Sequence, residues 1–136
     1  MAAKAVVDAS IIVKWFIEEE YTKQALKLRD EHANGNLILI APSLLNFEVL
    51  NALRYCGLFN KKELKELAVA IGKYGLELHN LIGNYAEHTA DIANTRKLSI
   101  YDASYTALAE LYDIDLYSVD NKIIENCRLA VHLKDV

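Results

Sequence analysis

The chain has 136 residues, 53% hydrophobic and 25% charged, a balance that suits one globular domain spanning residues 1–136 with a sizeable core. A net charge of −4 and a pI near 5.5 exclude a nucleic-acid binder driven by bulk positive charge. No apolar run reaches the length of a membrane span, and Asp8 and Lys14 break up the N-terminal apolar stretch, so neither a span nor a secretory signal is expected and a cytoplasmic location is.

The first predicted strand runs from about Lys4 to Asp8. Ser10 then signals a short helix through Ile11-Ile12-Val13-Lys14-Trp15-Phe16. Tyr21 to Ala33 follows as a longer helix with Ala25 and Leu28 inward, stopped by Asn34-Gly35-Asn36. Leu37 to Ile40 is a buried strand. Pro42-Ser43 opens the next helix, because proline suits a first turn, and Gly57 closes it. Leu64, Leu67, Ala68 and Ile71 give Lys61 to Tyr74 a helical stripe that ends at Gly75. Glu77-Leu78 forms a short edge strand, and Asn84 caps a helix reaching Arg96. Asp102 to Asp113 is a helix, Leu116 to Val119 a strand, Asn121 to Leu129 a helix and Ala130 to Leu133 a final strand. Strands alternating with helices imply an α/β fold: a parallel sheet covered on both faces, joined by right-handed crossovers.

Four acids stand out against this order: Asp8, Glu48, Asp102 and Asp120. Asp8 and Asp120 end strands, Asp102 opens a helix, and Glu48 lies on the apolar side of a helix among Leu44, Leu45 and Ala52. In a parallel sheet, strand carboxyl ends and the following helix starts share one edge. Singly, Asp8, Asp102 and Asp120 read equally as helix caps, and Glu48 as half of an ion pair. Jointly they map to one place, where carboxylates repel one another and Mg²⁺ or Mn²⁺ is the usual remedy. The pattern points to a metal-dependent acid pocket acting on phosphate esters.

Ser10 and Ser118 each lie two residues from an acid and can orient it from outside the metal's own ligands, as can Asn51, one turn from Glu48, and Asn121, which also reads as a helix cap. Lys14 and Arg54 are candidates for guiding phosphate. Trp15, Phe16, Phe47, Tyr101, Tyr105 and Tyr112 read as core or subunit contact. Cys56 and Cys127 read as two buried free thiols, and His32, His79, His88 and His132 show no zinc spacing and read as surface or loop residues.

Four segments together resemble the PIN-domain family and, within it, the VapC-like toxins of toxin–antitoxin pairs. They are Val6-Val7-Asp8-Ala9-Ser10, Asn46-Phe47-Glu48-Val49, the run from Tyr101-Asp102-Ala103 to Ala109, and Tyr117-Ser118-Val119-Asp120. The resemblance implies an α/β/α sandwich with a short-stranded, mainly parallel central sheet. It implies a Mg²⁺- or Mn²⁺-dependent endoribonuclease in which Asp8, Glu48, Asp102 and Asp120 are the catalytic metal ligands. Ser10 and Ser118 match its supporting hydroxyl positions. The family often carries a further acid just after the fourth; here Asn121 follows, and the next acid is Glu125. Expected partners are an RNA substrate, a cognate antitoxin, and a second copy of the chain in a homodimer, with a dimer of dimers beyond it. The competing reading is a non-catalytic module of the same fold whose acidic groove holds a basic peptide or protein. A phospho-acceptor domain, with Lys122 as its lysine, is a third.

Overall fold

A computed structural model describes residues 2–136. The chain order is β1 (Ala3–Val7), α1 (Ala9–Val13), α2 (Thr22–Ala33), β2 (Leu37–Pro42), α3 (Leu45–Tyr55), α4 (Lys61–Lys73), β3 (Glu77–His79), α5 (Gly83–Arg96), α6 (Ile100–Tyr112), β4 (Leu116–Ser118), α7 (Asn121–Asn126) and β5 (Ala130–His132). A single 3₁₀ turn, Leu133–Asp135, closes the chain.

The five strands form one sheet in the order β3-β2-β1-β4-β5, and every pairing is parallel. The expected α/β architecture is therefore present: a short-stranded parallel sheet flanked by helices. The chain moves outward from β1 to β2 and β3, then returns to add β4 and β5 on the other side. The order reverses between β1 and β4, and such a reversal leaves a crevice at the strand carboxyl ends. The central strands are buried on both faces, which is why Val6, Val7, Leu39, Ile40 and Leu116 form continuous apolar runs rather than alternating ones. Helix α6 crosses β1, β2 and β4 and packs outward on α5, while α1 packs on α3.

Two buried polar ties hold this packing. The Trp15 indole N–H donates to the Ala25 carbonyl at 2.8 Å, joining the turn after α1 to α2. The Tyr85 hydroxyl donates to the Ser104 carbonyl at 2.8 Å, joining α5 to α6. Helix α4 begins with a reciprocal cap: Asn60 accepts from the Glu63 amide, and Glu63 accepts from the Asn60 amide. Gly75, at φ +64°, takes the left-handed turn just past its end.

Several local readings are corrected. Pro42 ends β2, paired with His79 of β3, instead of opening α3. It sits at the end of a ladder, where a missing N–H costs little. Asn84 is not the cap of α5; Ile82 holds that position, with no side-chain bond. Asp120, not Asn121, caps α7, and α7 ends at Asn126. Cys127 is buried, but Cys56 is exposed, at the C-cap of α3. His32 is not a free surface group: its ring nitrogens contact the Tyr74 carbonyl at 2.8 Å and the Leu39 amide at 3.1 Å, tying α2 to β2 and to the end of α4. Among the described residues, no helix is long and apolar enough to cross a membrane.

Candidate active site

The β1–β4 register builds the centre of the site. Val7 pairs with Tyr117, so the next residues along, Asp8 and Ser118, emerge side by side at the sheet's reversal point. Both oxygens of Asp8 are engaged. Ser118 donates its hydroxyl to Oδ2, while Ser10 donates both its hydroxyl and its amide to Oδ1, the amide at 3.1 Å. Asp8 is thus the N-cap of α1 and a wall of the cavity at once. The Ser118 hydroxyl also accepts from the Asp120 amide at 2.9 Å, fixing the turn that carries the fourth acid. Asp120 repeats the double role: its Oδ1 accepts from the Lys122 and Ile123 amides at 2.8 and 3.3 Å, starting α7.

Asp102 arrives from α6, where Ser99 is the cap and accepts from the Asp102 amide at 3.0 Å. Glu48 arrives from the first turn of α3 and is half-buried. Its Oε1 accepts the Tyr105 hydroxyl at 2.6 Å. Tyr105 lies one helical turn after Asp102, so the same face of α6 supplies an acid and the donor that anchors another acid. By sequence Tyr105 reads as core or subunit contact. It is buried, but its hydroxyl reaches the site; the available signal was its three-residue spacing from Asp102.

Asp8, Ala9, Ser10, Glu48, Asp102, Tyr105, Asp120 and Ile123 line one cavity of about 100 Å³. All four predicted acids meet there, from four separate segments. Ser10 also lines it, and Ser118 stands directly behind Asp8. Asn51 and Asn121 are exposed and do not line it. Lys14 is buried, with its ammonium 3.2 Å from Glu19. Arg54 is exposed at the far end of α3, its guanidinium 5.1 Å from the centre of the Tyr55 ring.

The acids act on one another in a chain. Burial pushes the Asp8 carboxyl up to about 6, and the Asp120 charge adds to this while Ser10 and Ser118 oppose it. Glu48 is raised by burial and by Asp102, against the Tyr105 hydrogen bond. Asp102 is raised by burial and by Asp120, against Ser99 and Lys122. Glu110 provides the contrast: Arg96 holds it at 2.6 and 3.0 Å, and its carboxyl falls below the usual range. Two larger depressions, about 540 and 550 Å³, both include Glu110. Their shared acid is already neutralised by Arg96 and their other acids, Glu87, Asp91 and Glu125, are exposed, whereas the small cavity collects buried or partly buried acids without a basic partner. The chemistry favours the small one.

Carboxylate oxygens are the donors a hard divalent cation prefers, and a cation would relieve the repulsion that raises three of these groups. The donor set fits such a cation in kind. Among the described residues, no three His, Cys, Asp or Glu side chains already converge as a ready cage. Asp8 instead faces two serines, Asp120 two amides and Glu48 the Tyr105 hydroxyl.

A doubly wound parallel sheet with four such acids at its reversal point defines an α/β protein whose site selects positive charge. Residues 5–129 match the PIN domain family, and the chain belongs to it. A comparison with curated protein sequences finds no match. Among solved structures the chain is similar to PAE2754 from Pyrobaculum aerophilum, at 22% identity and TM-score 0.68, covering 99% of this chain and 94% of that one. It is also similar to a chain of a toxin–antitoxin complex from Klebsiella pneumoniae, at 18% identity and TM-score 0.68, covering 95% and 97%. A third is VapC20 of Mycobacterium tuberculosis, described as a sarcin-ricin-loop-cleaving toxin, at 17% identity and TM-score 0.66, covering 89% and 93%. At these identities the likeness is one of fold.

Proposed function

We propose that this chain is a metal-dependent endoribonuclease and the toxin of a type II toxin–antitoxin pair. The observation that carries the reading is the meeting of Asp8, Glu48, Asp102 and Asp120, from four separate segments, around one cavity at the sheet's reversal point. Family membership and the toxin–antitoxin setting of the Klebsiella neighbour support it.

In this reading the four carboxylates hold Mg²⁺ or Mn²⁺. When bound, the cation supplies Lewis-acid charge for the scissile phosphate and for an attacking water. The chain's own residues prepare that state. Ser10 and Ser118 fix the rotamer of Asp8 and favour its ionised form. Tyr105 does the same for Glu48. Ile123 and Ala9 supply the apolar part of the wall, which strengthens charge interactions inside. The cavity lies at the sheet's reversal point, where a backbone phosphate of the RNA would meet the four acids. The further assembly follows the family: a homodimer, a dimer of dimers, and an antitoxin meeting the acids in a cytoplasmic setting.

The second reading is a non-catalytic module: the same four acids, gathered around one small cavity, can receive a lysine or arginine from a basic peptide. Incubating the purified protein with a mixture of structured RNAs separates the two. The nuclease cuts with Mg²⁺ or Mn²⁺, stops with a chelator, and leaves 5′-phosphate and 3′-hydroxyl ends. A module binds a basic peptide tightly, takes up no Mn²⁺ and leaves RNA intact.

A further inference from the structure

An acidic cavity in a chain of net charge −4 must still admit a phosphodiester, which is itself anionic. Positive charge beyond the metal has to come from somewhere near the mouth. Lys14 is consumed by Glu19, and Arg54 lies at the opposite end of α3. Lys122 is different. It stands in the first turn of α7, between Asp120 and Ile123, which both line the cavity. Its side chain is exposed, and among the described residues its ammonium has neither an ion-pair nor a hydrogen-bond partner. Its backbone amide donates to Asp120 Oδ1 at 2.8 Å, which places its Cα beside the cavity rim.

We propose that Lys122 is the phosphate-positioning cation of this site, meeting a non-bridging oxygen of the RNA backbone at the cavity mouth. This rests on the nuclease reading above. A free ammonium beside acids that it does not grip is available to an incoming anion. A lysine contacts phosphate as a point charge, without reading the base, so its contribution is independent of RNA sequence.

The test is binding and cleavage by Lys122→Ala and Lys122→Arg. Binding is read by fluorescence anisotropy of a labelled, mixed-sequence single-stranded RNA with Mg²⁺, with each substitution placed in an Asp8→Asn background to prevent cutting. The alanine variant is expected to bind about tenfold more weakly, and the slope of log affinity against log salt is expected to fall by about one phosphate contact, roughly 0.7 for a single strand. In the cutting-competent chain the same change raises KM more than it lowers kcat. Arginine restores both affinity and slope. Equal affinity and equal slope in the alanine variant and its parent, with the parent binding RNA, overturn the assignment of Lys122 alone. If the Asp8→Asn parent does not bind RNA, the kinetic arm decides: an unchanged KM for Lys122→Ala in the cutting chain overturns the assignment, and a chain that does not cut RNA at all takes the nuclease reading, and this proposal, with it.

Discussion

Replacing Asp8 with asparagine is expected to make the metal-free protein more stable. Asp8 is 5% exposed, and its carboxyl is raised from 3.8 to about 6 by burial and by Asp120. A folded-state value above the unfolded one means that the native chain holds the extra proton between these limits. The cost of ionising Asp8 is absent below about pH 4, grows through pH 6 and is constant above it. A shift of about two units corresponds to about 3 kcal/mol at neutral pH. Asparagine removes that cost but cannot accept from both serines, since one of its terminal groups is a donor. The net gain expected near pH 7 is therefore about 1–3 kcal/mol, or a Tm rise of roughly 4–10 °C for a domain of this size. Thermal unfolding of both proteins in chelator, from about pH 4 to pH 8, reads the effect. The gap should open with rising pH and level off above about pH 6. Added Mg²⁺ should then stabilise the parent and not the variant, because a ligand that binds only the folded state raises its stability by mass action. A variant no more stable than its parent near pH 7, or a gap of equal size at both ends of the pH range, refutes the reasoning.

Other substitutions probe the supports. Ser118→Ala removes a donor to Asp8 and an acceptor for the Asp120 amide, so a loss of about 1–3 kcal/mol is expected in urea unfolding, together with impaired cleavage. Tyr105→Phe deletes the bond that favours the ionised form of Glu48; the Glu48 carboxyl rises further, and the acid limb of the pH–rate profile should move to higher pH with roughly tenfold lower activity. Lys97 caps α5 at φ +57°, a conformation that costs a side-chain-bearing residue about 1 kcal/mol, so Lys97→Gly should raise stability by roughly that amount and leave cleavage unchanged.

The ends of β1 and β4 were legible because each apolar run stops at an aspartate, and strand ends in a parallel sheet share an edge. The meeting of Asp8 with Ser118 was not, since it depends on a register between segments 110 positions apart. Pro42 misled because proline suits a helix start and a strand end equally; only the pairing with His79 decides between them. Tyr105 was hidden for a related reason. Aromatic residues on an apolar helix face read as core, and nothing local shows that a glutamate 57 positions earlier accepts its hydroxyl. Asp8 and Asp120 read as either caps or site residues, but the alternatives do not compete: one oxygen of each caps a helix, and the carboxylate still lines the cavity.

The most direct test of the central claim is to compare RNA cleavage and Mn²⁺ uptake in the parent and in Asp102→Asn. Asp102 lines the cavity and is the cap of no helix, so its loss should leave the fold intact. The parent is expected to bind Mn²⁺ and to cut RNA only when it does, and the variant to lose both together while keeping the parent's circular dichroism. Cutting by the variant at the parent's rate, or cutting by the parent in excess chelator, would contradict it.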